Sequence, residues 1–494
     1  MKQIIYLLTL LITCVSCSKD FLNTAPKGVF HEGNYDMTTG QELLVLATLI
    51  EGYNSFAKQS WPIVAMQCHT TDNSHPGGPT GDGGVDFCQF PTLSFTPSNF
   101  TFNQYYGGNY EAVTKANEAL LMLDEFIKEN GETKDANQMK AEAYFIRAAA
   151  YFRLTQAFGA VPYVDRVMGK EEEMADQLSA TQIRNKYLPE LIWAIDYLPT
   201  RIEQLASGNT GRATQNAARA IIAKTYMYEK DYVNCLNYTR QIIESGDNDL
   251  STPYSEIFWE VNEFGPESIW EINAEFKPEQ NISIIGDTNG WIMMNGVRGF
   301  PNLGWGHNAP TEDLMNAYEA GDPRYDATVL KNGDMVDGEV VKADFYEYFN
   351  KKAYLPKAER SLYGRDDWCS GYWSNFRIIR YADIVLMHAE AACEMGDLKD
   401  AKEKLEMIRN RARNGDDSVL PKVMTENQDE LREKIRHERR IELALEFERY
   451  FDLVRWGIAQ DKLPNFVPGK HELFPLPQSE IDRSNGKLKQ NPGY

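Results

Sequence analysis

The stretch "AEAYFIRAAAYFRLTQAFG", residues 141–159, puts Tyr144, Ala148, Tyr151 and Thr155 on one stripe and stops at Gly159. Recurrence at three and four residues is the period of an α-helix. Alanines between large rings let this helix approach a neighbour closely, while the rings fill the remaining gaps. A helix built this way cannot bury its face alone. The question is what stands beside it.

Just upstream, "YEAVTKANEALLMLDEF" (110–126) aligns Ala112, Ala116, Ala119, Leu123 and Phe126. Downstream, "IRNKYLPELIWAIDYLP" (183–199), "GRATQNAARAIIAKTYMYEKDY" (211–232) and "VNCLNYTRQIIESG" (233–246) continue the pattern, the second through Ala218, Ile221, Thr225 and Tyr228. Helices return in "IIRYADIVLMHAEAACEMGD" (378–397), "LKDAKEKLEMIRNRAR" (398–413) and "DELREKIRHERRIELALEFERYFDLVRWG" (429–457). The last has a stripe of Ala444, Phe447, Phe451 and Val454. Paired helices of this kind resemble tetratricopeptide units, which bury their faces only by stacking. The 34-residue signature is absent, so the repeats are degenerate. The fold class is mostly α, with helix pairs over about 110–246 and 377–457.

Between them, about 247–375, lies an irregular insert. "ESIWEINAEF" (267–276) alternates like a strand, "GWIMMNGVRGFPNLGWGHNAP" (290–310) reads as an aromatic loop, and "VLKNGDMVDGEVVKADFYEYF" (329–349) reads as a strand pair around "NGDMVDG". Apolar alternation favours a globular insert packed on the helices over a linker. At the front, "QELLVLATLIEGY" (41–53) is helical, and glycines and prolines keep 68–100 free of long regular elements.

The chain opens with Lys2, a short apolar run over 4–12 and small residues at its end, the pattern of a secretory signal. The run is well short of the roughly 20 residues a spanning helix needs. Cys17 follows Val15-Ser16, and here "LITCVSCSKDFLNTAP" (11–26) resembles a bacterial lipoprotein box. The expected organisation is a signal peptide over 1–16, a tether over 17–30 lipidated at Cys17, and one body over 31–494. "SKD" (18–20) resembles the tag that sends lipoproteins of Bacteroidota to the outer face of the outer membrane.

The 494 residues carry 51 basic and 72 acidic side chains, a net charge of −21. A nucleic-acid binder needs a basic footprint, so that class is excluded. An anionic membrane would repel the body, leaving the lipid as the membrane contact. Behind the leader and Cys17 stand Cys68, Cys88, Cys235, Cys369 and Cys393, an odd number. Cys68 and Cys88 flank the glycine-rich loop and could pair. "HTTDNSH" (69–75) holds His69, Asp72 and His75, but the spacing matches no common metal site. "GGPTGDGG" (77–84) lacks a phosphate loop's lysine, and there is no G-x-S-x-G elbow or complete calcium loop. No metal or cofactor is expected.

Four stretches go beyond periodicity: "RIIRYADIVLMHAEA" (377–391), "IRNRAR" (408–413), "ERRIELALEFERYFDLVRW" (438–456) and "LFPLPQSEIDRSNGKLKQNPGY" (473–494). With "GRAT" (211–214) and the leader, they closely resemble the SusD/RagB family of surface nutrient-binding lipoproteins. The resemblance implies a helical body with an irregular part holding the ligand site. It also implies a lid on a TonB-dependent outer-membrane transporter, and no catalysis. Most such proteins bind glycans, and the RagB branch handles peptides. A glycan-processing enzyme is the alternative from another class. Read from the residues themselves, Arg380, Asp383, Glu390, Glu438, Arg439, Glu442, Glu446, Arg449, Asp452 and Arg455 form a scaffold network, with spacings that allow pairing along a helix.

The functional lead is the aromatic residues outside the helices. Trp291, Phe300, Trp305, Tyr363, Trp368, Tyr372 and Trp373 lie in Gly/Asn-rich segments. Sugar rings stack C–H faces on indoles, while their hydroxyls take polar partners. Trp291 and Trp305 rank first, with Asn302 as a polar partner and Asp72-Asn73 as further polar contacts. The expected ligand is an oligosaccharide; a peptide is the rival.

Overall fold

The computed structural model describes residues 40–76, 84–169, 174–274, 290–301, 303–343, 347–362 and 373–494. Cys17, "SKD", Asn302, Tyr363, Trp368, Cys369 and Tyr372 lie outside the described residues. Met1–Leu44 and Val45–Tyr494 form separate units. Of the first, only residues 40–44 are described.

The helices are α1 (Gln41–Ala57), α2 (Phe100–Asn130), α3 (Lys134–Phe158), α4 (Ala180–Ile195), α5 (Gln215–Tyr228), α6 (Tyr232–Ser245), α7 (Tyr381–Glu394), α8 (Leu398–Arg413), α9 (Gln428–Glu442) and α10 (Arg449–Arg455). Local chemistry sets their ends. Asn99 and Thr133 accept from backbone N–H groups in the first turns of α2 and α3, and Ser179 with Gln182 forms a capping box on α4. Gly159 ends α3 at φ 70°, and a Cβ there would sit 2.7 Å from the Leu473 side chain.

Each helix from α2 to α6 packs on the next, and α7 packs on α8 and α9. Helix α6 also packs directly on α7, although the insert separates them in sequence. The helix pairs therefore run on as one array, and the insert leaves and rejoins it at one junction. The alanine positions are buried as the stripes require: Ala112, Ala116, Ala148 and Ala218 are each 0% exposed. No described helix is long and apolar enough to cross a membrane.

The insert's alternating segment forms the strand Ser268–Ile272. Its antiparallel partner is Phe376–Arg380, with Phe376 opposite Ile272. The sequence reading placed 378–380 at the start of a helix. An apolar run that short fits either state, and pairing across the chain decides for the strand. The 329–349 region is a strand pair, Val329–Lys331 against Tyr348–Asn350, with a small hairpin at Met335–Val336 and Glu339–Val340. The 290–310 segment, read as a loop, begins with a helical turn, Gly290–Asn295. Cys68 is a buried thiol that donates to the Glu446 carbonyl at 3.2 Å, not half of a disulfide with Cys88.

One expected helix, 429–457, is broken. Helix α9 ends at Glu442, α10 starts at Arg449, and Leu445 between them takes φ 61°. Three carbonyls at this break are captured from outside it: Glu442 O accepts from Tyr254 Oη and Lys352 Nζ, Leu445 O from Asn308 Nδ2, and Glu446 O from Cys68. Around the break Glu442 and Glu446 share Arg380, while Glu448 reaches Lys224. Arg380 bonds Glu267 at 2.7 Å and Glu446 at 2.8 Å; Lys224 bonds Glu448 at 2.9 Å. Burial alone would raise the Glu442 carboxyl, but Arg411, Arg380, Arg324 and Lys352 together hold it down to about 2. The charged run is a scaffold, but its partners mostly come from other elements. Asp452–Arg455 pairs along its own helix; Arg439 joins Asp383, and Arg324 joins Glu438.

Candidate functional site

The segment after the Gly290–Asn295 turn folds back on it, backbone against backbone. Trp305 N donates to Met293 O at 2.8 Å, Gly306 N to Gly296 O at 2.9 Å, and His307 N to Met294 O at 2.8 Å. Such closeness requires glycine: a Cβ on Gly304 would lie 2.2 Å from Met293 O and 2.9 Å from Gly296 Cα. This clasp fixes the directions of Trp305 and His307.

They meet two other elements there. The helical turn Ser60–Ile63 carries Trp61 and runs into a π turn, Val64–Cys68, in which His69 N reaches Val64 O at 3.1 Å. The extra residue in that turn packs Val64–His69 wholly inside. The short helix Gly84–Cys88 supplies Phe87, 1% exposed. Trp61 stacks on Phe87 with centroids 4.4 Å apart and meets Trp305 edge-on at 5.7 Å and 77°. His307 lies 4.7 Å from Phe87, and His69 4.6 Å. Phe87, His69 and His307 form a buried floor; Trp61 and Trp305 are half-buried above it.

Burial first, then His307 and His75, hold His69 well below the usual histidine range. Its Nε2 accepts from Asn308 N at 3.3 Å, so the proton sits on Nδ1, which is buried without an acceptor among the described residues. The Trp61 indole N–H likewise has no acceptor among the described residues.

The other residues singled out by sequence stand elsewhere. Trp291 is 3% exposed and stacks on Phe258 at 5.8 Å, in a different cluster from Trp305. Trp373 is buried and donates to Glu260 Oε2 at 3.2 Å. Phe300 is 51% exposed, on a strand opposite Lys342. Asp72 and Asn73, expected as polar contacts for a ligand, bond to arginines. Both Asp72 oxygens accept from Arg449, at 2.9 and 2.7 Å, and Asn73 Oδ1 accepts from Arg440 at 2.8 Å. Burial would raise the Asp72 carboxyl, but Arg449 and Arg440 pull it below its usual value. No group of three His, Cys, Asp or Glu among the described residues could hold a metal.

Sequence reasoning missed Trp61, Phe87 and His307. Trp61 sits in an apolar helical context that reads as core. Two wider depressions exist, of about 470 Å³ beside Arg219 and about 370 Å³ beside Tyr53. The Tyr53 hydroxyl is tied to Glu142 and to Ala213 N.

Comparison with known proteins places these features. Residues 189–467 match the family described as the SusD family, and residues 85–227 match one described as starch-binding associating with outer membrane. The chain is 26% identical to SusD-like protein P2 of Formosa agariphila across the full length of both. Surface glycan-binding protein A from Bacteroides fluxus superposes with a TM-score of 0.77 at 24% identity, over 92% of this chain and 99% of that one. Surface glycan-binding protein A from Bacteroides thetaiotaomicron, solved in complex with laminarihexaose, superposes with a TM-score of 0.76 at 24% identity, over 91% and 99%.

Proposed function

The chain belongs to the SusD family, and from that premise we propose that it binds oligosaccharide without turning it over and delivers it to a TonB-dependent outer-membrane transporter. The observation that carries this reading is the pair of half-buried indoles, Trp61 and Trp305, held on a buried aromatic floor. Sugar C–H faces suit such rings. Burying about 60 Å² of ring at about 25 cal/mol per Å² contributes about 1.5 kcal/mol, roughly tenfold in Kd. In this reading Trp305, with Trp61, makes the contact, and Trp291 packs on Phe258 within the insert. Phe300, and Asn302 and Trp368 outside the described residues, stay proposed as further ligand contacts.

Glycoside hydrolysis needs two convergent carboxylates beside the sugar, and the nearby Asp72 is engaged by Arg449. Related proteins carrying glycan-binding names support the ligand class. Cys17, acylated after removal of 1–16, anchors the body on the outer face of the outer membrane. The tether raises the effective concentration at the transporter.

The test is calorimetry against oligosaccharides and peptides, with a product assay. Sugar binding is expected, weakened about tenfold by Trp305→Ala, with no product formed. Peptide binding without sugar binding, or released product, overturns the reading. Mass spectrometry of the native amino terminus should find lipid on Cys17.

A further inference from the structure

We propose that a small monovalent anion, of the class of chloride, binds in a cavity of about 40 Å³ where the helical array, the insert and α10 meet. Its walls include Arg153 of α3, Lys224 of α5, Trp270 and Ile379 of the paired strands, and Phe451 of α10. Two donors there have no acceptor. Arg153 is 8% exposed; its Nε donates to Tyr105 Oη at 3.5 Å, and its terminal Nη groups donate to no described residue. The guanidinium lies 5.2 Å from the Phe56 ring centre and 5.4 Å from that of Tyr105, which position it but carry no full negative charge. Trp270 meets the same Phe56 ring edge-on at 5.2 Å, and its buried indole N–H has no acceptor among the described residues. The shared contact with Phe56 places the two donor side chains together.

Charge decides for an anion over water. The deeply buried Arg324, Arg380 and Arg439 each bond at least two carboxylates. No ion pair joins Arg153 to a carboxylate among the described residues. Glu448, the one acid lining the cavity, is committed to Lys224 at 2.9 Å and Arg439 at 3.5 Å. A buried charge without a partner is costly, and water satisfies the donors but not the charge. Size then sets the class of anion. One water needs about 10–15 Å³ of such space, so the cavity admits a halide and little besides. A sulfate, with four oxygens to seat, is a poor match for two unpaired donor groups. Half-buried Gln156 and Phe447 line the side towards solvent and give a route of entry. The bound anion joins α3 to the insert and so stabilises the folded chain by mass action.

Thermal unfolding at fixed ionic strength tests this, with sodium gluconate, whose anion is too large for the cavity, exchanged for sodium chloride or bromide. The melting temperature of the parent should rise with halide, and that of Arg153→Met, which keeps an unbranched side chain without the charge, should not. Crystals grown in bromide should show an anomalous peak in contact with Arg153 and Trp270, which decides the matter if Arg153→Met fails to fold. No anomalous peak there means water only and overturns the site. A peak without halide stabilisation in solution is an adventitious ion only and overturns it too, as does a halide response retained in Arg153→Met. Sugar takes no part in these measurements, so their failure leaves the glycan reading as it stands.

Discussion

Arg380 is 2% exposed and bonds carboxylates from three places: Glu267 in the insert, Glu442 at the end of α9, and Glu446 in the break that follows. Removing it would leave three buried acids short of a cation. A buried pair broken on one side costs about 3–5 kcal/mol. Arg380→Ala should therefore lower unfolding free energy by about that much in urea titration; a loss under 1 kcal/mol, roughly a surface pair's value, would contradict the assignment. Asp72→Ala makes a related case: it strands Arg449, so it should lower the melting temperature while leaving sugar affinity of the folded protein unchanged. A stable Asp72→Ala variant with lost affinity would return Asp72 to the ligand. The charged residues were legible in the sequence as scaffold because they sit among apolar neighbours. Their partners were not, because helical spacing suggests pairs along α9, whereas Arg324, Lys352 and Arg380 arrive from elements far away in sequence. Trp61 was illegible for a related reason: an indole in an apolar turn looks the same whether its neighbour in space is core or solvent.

The elements that position the site are short, and their form depends on contacts outside them. The alanine–aromatic helices could be read directly, since each carries its own period. The break after α9 could not, because it is held by Asn308, Tyr254 and Cys68. The Gly290–Asn295 turn and its returning strand were likewise hidden: glycine-rich sequence reads as loop, while these glycines allow close backbone packing. That packing can be tested. Gly304→Ala would push a Cβ into Met293 O, 2.2 Å away, so the clasp must open. The helical array does not depend on it. Sugar affinity should fall at least as far as in Trp305→Ala, while the far-ultraviolet circular dichroism stays unchanged. Unaltered affinity in Gly304→Ala would show that the clasp does not position Trp305.

At the scale of the whole molecule, ion pairs bind the insert and the early loop to the helical array: Glu267 of the insert to Arg411 of α8, Lys352 of the insert to Glu446 in the break, and Asp72 of the loop to Arg449 of α10. Residues 45–494 should thus melt in one calorimetric transition, and two resolved transitions would refute that coupling. A second acidic group sets how stability varies with pH. Glu263, Glu271 and Glu359 gather near Arg377, with Glu260 beside Glu359. Burial raises Glu263 and Glu359 to about 7, more than Arg377 and the nearby backbone N–H groups can offset, and the Glu260 carboxylate adds to the rise at Glu359. Between the ordinary value of 4.5 and about 7 the folded chain holds protons there that the unfolded chain has released. Their contribution to stability is therefore largest at low pH and is lost as pH rises through that window. Glu442, held at about 2, acts in the opposite sense: its contribution is present above 4.5 and is lost as pH falls towards 2. Glu359→Gln keeps the acceptor for Glu260 N but removes the titration. Measured from about pH 5 to about pH 8, the melting temperature of the variant should climb relative to the parent as pH rises. Parallel curves across that range would show that Glu359 ionises in the fold as it does in water.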